Sequence, residues 1–352
     1  MPIFDQGYQH WSGQLSGHAW RWLAITRHGV RVGMTGRPLR FVLFLAWLPA
    51  VALASVLCLW GLLEQNSDLV TTFAPLLGFF DPAILAGPRH YRVEIWTLSY
   101  SSFLSIESWF AMILILLVGP NLISQDLRYN ALPLYFSRPL RRIDYFLGKL
   151  GVIVAFLGMV IIVPSLLAYV LGLLFSLDIT IIRDTFGILL ASVAYGLVIA
   201  VSAGLLILAL SSLSRNSRYI ALFWLGIWFV SSTVAGVLGL VDHEQRAHQA
   251  RQVTQEARTD PATLEIEAAR TDWRPLVSYT ANLSRVGQQL LGTDACWDKL
   301  SKLQPANQRS RFLLEFQGPQ YPWYWSAGVL AALLGISACI LNFSIKSLDR
   351  LK

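Results

Sequence analysis

Charge is what this 352-residue sequence has least of: only 14% of its residues are Asp, Glu, Lys or Arg, while 55% are hydrophobic and the mean hydropathy is +0.51. A soluble domain of this size needs more charge to cover its surface, so that class is excluded. Cysteine is scarce as well. Cys58 and Cys339 lie within apolar runs, which leaves Cys296 as the one expected to meet solvent. One exposed thiol makes no internal disulfide, although it could bridge two copies. The six histidines are scattered; His243 and His248 are five apart, off the i,i+4 spacing of a helical metal pair, and no Cys or carboxylate cluster joins them. No metal ligand is expected. A phosphate-cradling loop is missing too, because Gly148-Lys149 is followed by Leu150 and lacks the earlier glycine. No Ser or Cys nucleophile signature occurs. The chain is therefore expected to be no enzyme by itself, with no catalytic or cofactor-binding residue. Its net charge of +7 comes without a basic stripe interleaved with stacking aromatics, so nucleic acid is not expected as a partner.

What is abundant is long apolar runs. A helix needs about 20 apolar residues to cross a bilayer core, and six runs qualify: Phe41–Leu63, Phe103–Ile123, Gly151–Leu174, Gly187–Leu210, Ile220–Val241 and Tyr324–Phe343. Leu69–Phe80, interrupted or bounded by Pro75, Asp81 and Pro82, is too short and reads as an interfacial or re-entrant piece. The polar leader is too long, and the first run long enough to span, for a cleavable signal peptide. Thirteen Trp and twelve Tyr fit aromatic belts at the two interfaces. With the N-terminus inside, the inner segments hold 15 basic residues against four acids, and the outer segments hold 13 basic and 17 acidic. Insertion favours that orientation, which puts both termini in the cytoplasm. The expected fold is an all-α membrane protein of about six transmembrane helices. It divides into a leader (1–40), five spans (41–241), an extracytoplasmic helical insert (242–322), and a sixth span with a tail (323–352).

In the leader, His18–Val32 fits a helix at 100° per residue. Arg21, Arg27, His28 and Arg31 gather on one side, with Trp22, Leu23, Ile25, Val30 and Val32 over the other. A basic amphipathic helix with Trp suits the membrane surface, so the bilayer itself is an expected partner. In the insert, His243–Arg258 reads as a charged helix and Asp260-Pro261 as the start of another. Leu276, Tyr279, Leu283, Val286 and Leu290 form one apolar helical stripe. The insert is expected to cap the outer ends of the spans, in contact with a second protomer or an outside partner. Gly196, Ala200 and Gly204, Ser232 and Gly236, and Gly328 and Ala332 are small residues at fourfold spacing; each set suits helix packing, internal or between copies. Pro49, Pro120 and Pro164 offer kinks that neighbouring helices tolerate. Glu107 is the one clear carboxylate within a run. A charge in lipid marks a candidate pathway residue, but about one turn from the outer end it is also within reach of water.

The informative stretch joins the second and third runs, residues 124–149. It reads as a short amphipathic helix, a Ser137-Arg138-Pro139 break, and a second helical start. Pro139 bars a helix from running smoothly through it. Leu127, Leu132 and Leu134 offer apolar contacts, with Tyr135 and Phe136 before the break. Arg138, Arg141 and Arg142 can pair with acids on a partner or with lipid phosphates. Such a knuckle can sit in a groove of a soluble partner and pass rigid-body motion to the membrane.

Here the sequence resembles the ABC-2 family of transporter permeases. The matching positions are an acid at the end of the second run (Asp126), then Leu132, Leu134, Ser137-Arg138-Pro139 and Arg142, and Gly148-Lys149 opening the third. The six-span order and the N-terminal amphipathic helix agree. Asp stands where the family more often has Glu, Asn130-Ala131 where a Gly is common, and the insert before the last span is longer than usual. The resemblance implies a permease that pairs with a second copy or a paralogue. It would carry two separate ATPase subunits, with ATP and Mg bound there, and move a substrate outward across the cytoplasmic membrane of a prokaryote. It implies ATPase docking on Asp126, Arg128, Leu132, Leu134, Tyr135, Phe136, Arg138 and Pro139. The alternative is a membrane anchor and motor that transports nothing and works an extracytoplasmic partner through the insert.

Overall fold

In hydrocarbon no water can satisfy a backbone N–H or C=O, so a long apolar run must close its hydrogen bonds on itself as a helix. The computed structural model describes residues 20–65, 84–85, 87–136, 140–176, 178–239, 271–317 and 320–349. Leu69–Phe80, His243–Arg258 and Asp260-Pro261 lie outside the described residues. Six helices are long and apolar enough to cross a membrane, and no strand occurs among the described residues. An N-terminal helix, α1 (Arg21–Gly33), precedes them. The first span is α2 (Arg37–Leu45) and α3 (Leu48–Glu64), with Pro49 in the first turn of α3, where its missing N–H costs nothing. The second is α4 (Arg92–Arg128), entered through a 3₁₀ turn at Pro88–Tyr91 and carrying Pro120 inside it. After the short α5 (Leu132–Phe136), the third span runs through α6 (Arg142–Leu157), a π turn (Gly158–Ile162) and α7 (Val163–Ser176). The wide turn just before Pro164 makes room for the proline ring. The fourth span is α8 (Thr180–Leu213); the fifth starts as α9 (Ser217–Leu225), widens at Gly226–Val230 and continues to Gly239.

The remaining elements are a 3₁₀ turn (Arg274–Val277), α10 (Tyr279–Leu291), α11 (Thr293–Ser301), α12 (Arg309–Phe316) and the last span, α13 (Trp323–Asp349). Arg92 lies at one end of the bundle and Asp126 at the other, near the two ends of α4.

Close packing in the absence of a hydrophobic driving force relies on small residues. The Gly196–Ala200–Gly204 seam of α8 is such a case, and it is internal. A Cβ on Gly204 would come within 2.7 Å of Leu150 on α6, and one on Gly196 within 3.0 Å of Ile161. Ser232 shares hydrogen bonds with Ser278 and Thr280, whereas Gly236 and Gly328 face open space.

Three expectations are corrected. The second span begins well before Phe103, because Arg92 and Glu94 are paired and need not end the helix: Arg92 lies 2.6 Å from Glu64, and Glu94 lies 2.7 Å from Lys299. Glu107 is consequently 15 residues inside α4, about 22 Å from its start, and is 0% exposed rather than near water. Cys296, expected at the surface, is 7% exposed on the face of α11 that packs on α4, and burial pushes its thiol pKa up. Cys339 is the exposed one.

Among the described residues of the insert, α11 lies over the Arg92 end. Lys299 on α11 reaches Glu94 and the His90 carbonyl at the start of the second span. By contrast α10 is wedged between spans, with Tyr279 Oη 3.1 Å from Ser202 Oγ on α8. Its buried stripe is Tyr279, Leu283, Gly287 and Leu291, and Leu290 is 40% exposed. Gly287 belongs to the stripe because a Cβ there would fall within 2.6 Å of the Tyr195 ring.

Candidate functional site

The junction between the second and third spans is built from a helix stop, a short helix and a helix start. α4 ends at Arg128, where Asn130 takes a positive φ of 50° and Ala131 N–H donates to the Asp126 carbonyl at 2.9 Å. That pattern is a left-handed cap with a 6→1 bond. Asn is among the few non-glycine residues that accept the left-handed region, which explains physically how Asn130 stands where a glycine was expected. On the far side, the Asp144 carboxylate accepts from Arg141 N–H at 3.2 Å and opens α6.

Asp126 fastens the two spans together. Its carboxylate lies 2.6 Å from Lys149 Nζ and accepts from Tyr145 Oη at 2.7 Å, so one acid at the end of α4 holds two groups on the first turns of α6. Lys149 also sits over the rings of Tyr145 and Tyr135, 5.4 and 5.9 Å from their centroids, and those two rings are 5.4 Å apart. Burial, and next the Asp126 charge, push the Tyr135 phenol above its ordinary pKa. Leu132 is buried and lines a cavity of ≈ 320 Å³ with Leu127, Tyr145, Phe146 and Arg215. It therefore ties α5 to the bundle instead of facing outward. Arg128 lies over Tyr129, which is 72% exposed. Leu134 and Phe136 are in α5 by backbone; their side chains, with Arg138 and Pro139, lie outside the described residues.

A second fastening lies one turn deeper. Pro120 has no N–H to give, and the helix there is braced from α8 by Ser211. Its Oγ accepts from Ile123 N–H and Ser124 N–H, each at 3.1 Å, and donates to the Pro120 carbonyl at 3.0 Å. Gly119 lets α8 approach, since a Cβ there would meet Ile207 at 2.5 Å.

The N-terminal helix docks on the same junction. Thr26 Oγ1 donates to the Gly148 carbonyl at 3.0 Å, and any Cβ on Gly148 or Gly151 would collide with Ile25 or Thr26. Trp22, Ile25, Thr26 and Gly29 thus face α6, while Arg27 and Arg31 point away and are exposed. Arg21 is half-buried and partnered.

A family model described as ABC-2 family transporter protein matches residues 24–341, nearly the whole chain, from within α1 to within the last span. The chain belongs to the ABC-2 transporter family. A search of curated proteins returns no match.

As an ABC-2 membrane protein, the chain keeps its candidate residues in separate places. Glu107 shares α4 with Asp126 but lies 19 residues away, about 28 Å along the helix, and among the described residues neither of its carboxylate oxygens has a hydrogen-bond partner. At the opposite end, Arg92 gathers four spans. Its Nε and Nη2 bind Glu64 at 2.8 and 2.6 Å, Nη2 also reaches Asp178 at 2.9 Å, and Nη1 reaches Thr180 and Asp184 at 3.2 and 3.3 Å. Ser176 donates to Glu64 at 3.2 Å. The Arg92 hydrogen bond, then those from Thr180, hold the Asp178 carboxyl well below the usual carboxylate range. Sequence reasoning missed this cluster because its three segments, at 64, 92 and 176–184, are 28 to 120 positions apart; it also missed Tyr145 and Ser211. The Gly148/Gly151 and Thr26/Gly29 pairs were legible as small residues at helical spacing, the one available signal for the docking of α1.

Proposed function

We propose that this chain is the permease subunit of an ATP-driven exporter, with two copies, or one copy and a paralogue, each carrying a separate ATPase on the Asp126 side. That side faces the cytoplasm of a prokaryote, as the 15-to-4 excess of basic residues favours. The observation that carries the reading is the Asp126–Lys149–Tyr145 fastening. A loop that only connected two spans would need no shared ion pair. One that must turn movement of a soluble subunit into movement of the second and third spans has to be stiff, and here the loop's two ends are held as one body. Ser211 extends that body to the fourth span. ATP and Mg belong to the partner, and this chain contributes no catalytic group.

The face left for the ATPase is formed by Arg128, Tyr129, Arg141 and Ile143, of which Ile143 is 67% exposed. A large apolar residue so exposed at the very start of the third span, beside the loop, is a natural anchor for a partner. Tyr129→Asp combined with Ile143→Asp is expected to release the ATPase from the detergent-purified complex while the permease still inserts. Co-purification at unchanged stoichiometry, with unchanged ATP turnover, would refute docking at this loop.

A further inference from the structure

We propose that the corner between α1 and α2 is a binding site for the phosphate headgroups of anionic phospholipids, formed by Arg27, Arg31, Arg37 and Arg40. Three observations carry it. The first is unbalanced charge: no Asp or Glu occurs from Trp20 to Leu63. All four arginines are exposed, and no ion pair engages any of them among the described residues. The second is orientation. α1 is pinned to α6 by Thr26, Gly29, Gly148 and Gly151, so the helix cannot roll its arginines inward. One flank of the same helix leaves Leu23 and Met34 exposed beside them. Because α1 runs lengthwise along α6 from Gly148 to Phe156, this apolar and basic flank crosses the headgroup boundary, where long arginine stems can cover apolar surface while their charged ends reach phosphate.

The third is depth. Arg40, in the first turn of α2, and Glu64, the last residue of α3, are 24 residues apart, about 36 Å at helical rise. The hydrocarbon core is about 30 Å thick and headgroups extend it to about 40–45 Å. Arg40 therefore falls in the headgroup layer when Glu64 sits at the opposite border. α1 lies alongside, since a Cβ on Gly33 would meet the Phe156 ring, one turn above Val152. Arg40 at phosphate depth, with three more exposed arginines on the adjoining α1 and α2 and no acid among them, calls for anions from the surroundings. A surface for the ATPase would belong below the membrane, at the level of Tyr129. This lipid site rests on the proposed orientation only for the leaflet it faces, and its test reads lipid rather than nucleotide.

The full chain, purified in mild detergent, is examined by native mass spectrometry and thermal unfolding with phosphatidylglycerol, phosphatidylcholine or inorganic phosphate added. The wild type is expected to retain phosphatidylglycerol in preference to phosphatidylcholine and to melt higher with it; inorganic phosphate alone should do neither. A variant with Arg27→Gln, Arg31→Gln, Arg37→Gln and Arg40→Gln should lose the preference. Each arginine removed should weaken retention about fivefold, the factor equivalent to about 1 kcal/mol per basic residue at an anionic surface. The corresponding four Lys substitutions should keep most of it, and Arg215→Gln with Arg218→Gln should keep all of it. Should the fourfold variant fail to insert, Arg31→Gln with Arg40→Gln is read in the same way. Unchanged phosphatidylglycerol preference in the Gln variants would overturn the site, as would an equal effect of free phosphate. Release of a co-purified ATPase with lipid preference intact would assign the face to protein instead.

Discussion

Replacing Arg92 by methionine removes one side chain and strands several. Glu64 loses both hydrogen bonds of a bidentate pair in which the side chains are 3% and 1% exposed, and among the described residues retains only the Ser176 hydroxyl. Breaking a buried pair from one side costs about 3–5 kcal/mol, most of it the penalty of the uncompensated charge left behind. Asp178 and Asp184 add less, because water reaches them; the Asp184 side chain is 42% exposed. Removing both buried partners, Arg92→Met with Glu64→Met, deletes the orphan, and such apolar replacements are often near neutral. The single variant is therefore expected to lose about 3–5 kcal/mol in SDS-titrated unfolding and the double variant to recover more than half of it, a coupling that a double-mutant cycle isolates. A loss below about 1 kcal/mol in the single variant, or a double variant no better than the single, would refute this account. The same cluster sets a pH dependence. The Asp178 pKa is depressed in the folded chain, so its contribution is present above the unfolded carboxylate value of about 3.9 and disappears as pH falls through the lower folded value. Acid destabilisation from this group should therefore begin below about pH 4, and Arg92→Met should shrink it without abolishing it, because the Thr180 hydrogen bonds to Asp178 remain.

Ser211→Ala takes away the hydroxyl that bonds Ile123 N–H, Ser124 N–H and the Pro120 carbonyl. It should cost about 1–3 kcal/mol and speed amide exchange over residues 121–128, and unchanged exchange there would show that Ser211 braces nothing. Glu107 has no hydrogen-bond partner on either oxygen among the described residues, so Glu107→Gln, which keeps its shape, should leave thermal stability within about 1 kcal/mol. Glu107→Lys should prevent a folded bundle from being recovered, since it forces a longer, charged chain into a closed interior. Cys296 is packed against the second span. A membrane-impermeant maleimide should leave it unmodified until the chain is unfolded, and rapid labelling of the native protein would contradict that packing.

The six spans were legible in the sequence because a bilayer imposes its thickness on a single helix at a time, and run length is a local property. The N-terminal amphipathic helix and the stop, short helix and start of the 124–149 junction were legible for the same reason: caps, breaks and periodicities are written within a few residues. Charge misled the reading where it was paired. The second span was read from Phe103, yet Arg92 and Glu94 find partners in Glu64, Asp178 and Lys299, brought from distant segments, so the helix starts earlier and buries Glu107. Glycine misled it where it was counted as an absence. Gly287 completes the buried stripe of α10, and Gly148 and Gly151 admit α1, because what matters at a close approach is the atom that is not there. Sequence by itself determined which segments are helical and which of them are apolar enough to cross a membrane. Tertiary structure alone decided that Asp126 closes on Lys149 and Tyr145, that Ser211 braces the Pro120 turn, and that α10 descends between the spans, since an ion pair or a wedge depends on distances between segments that no local pattern encodes.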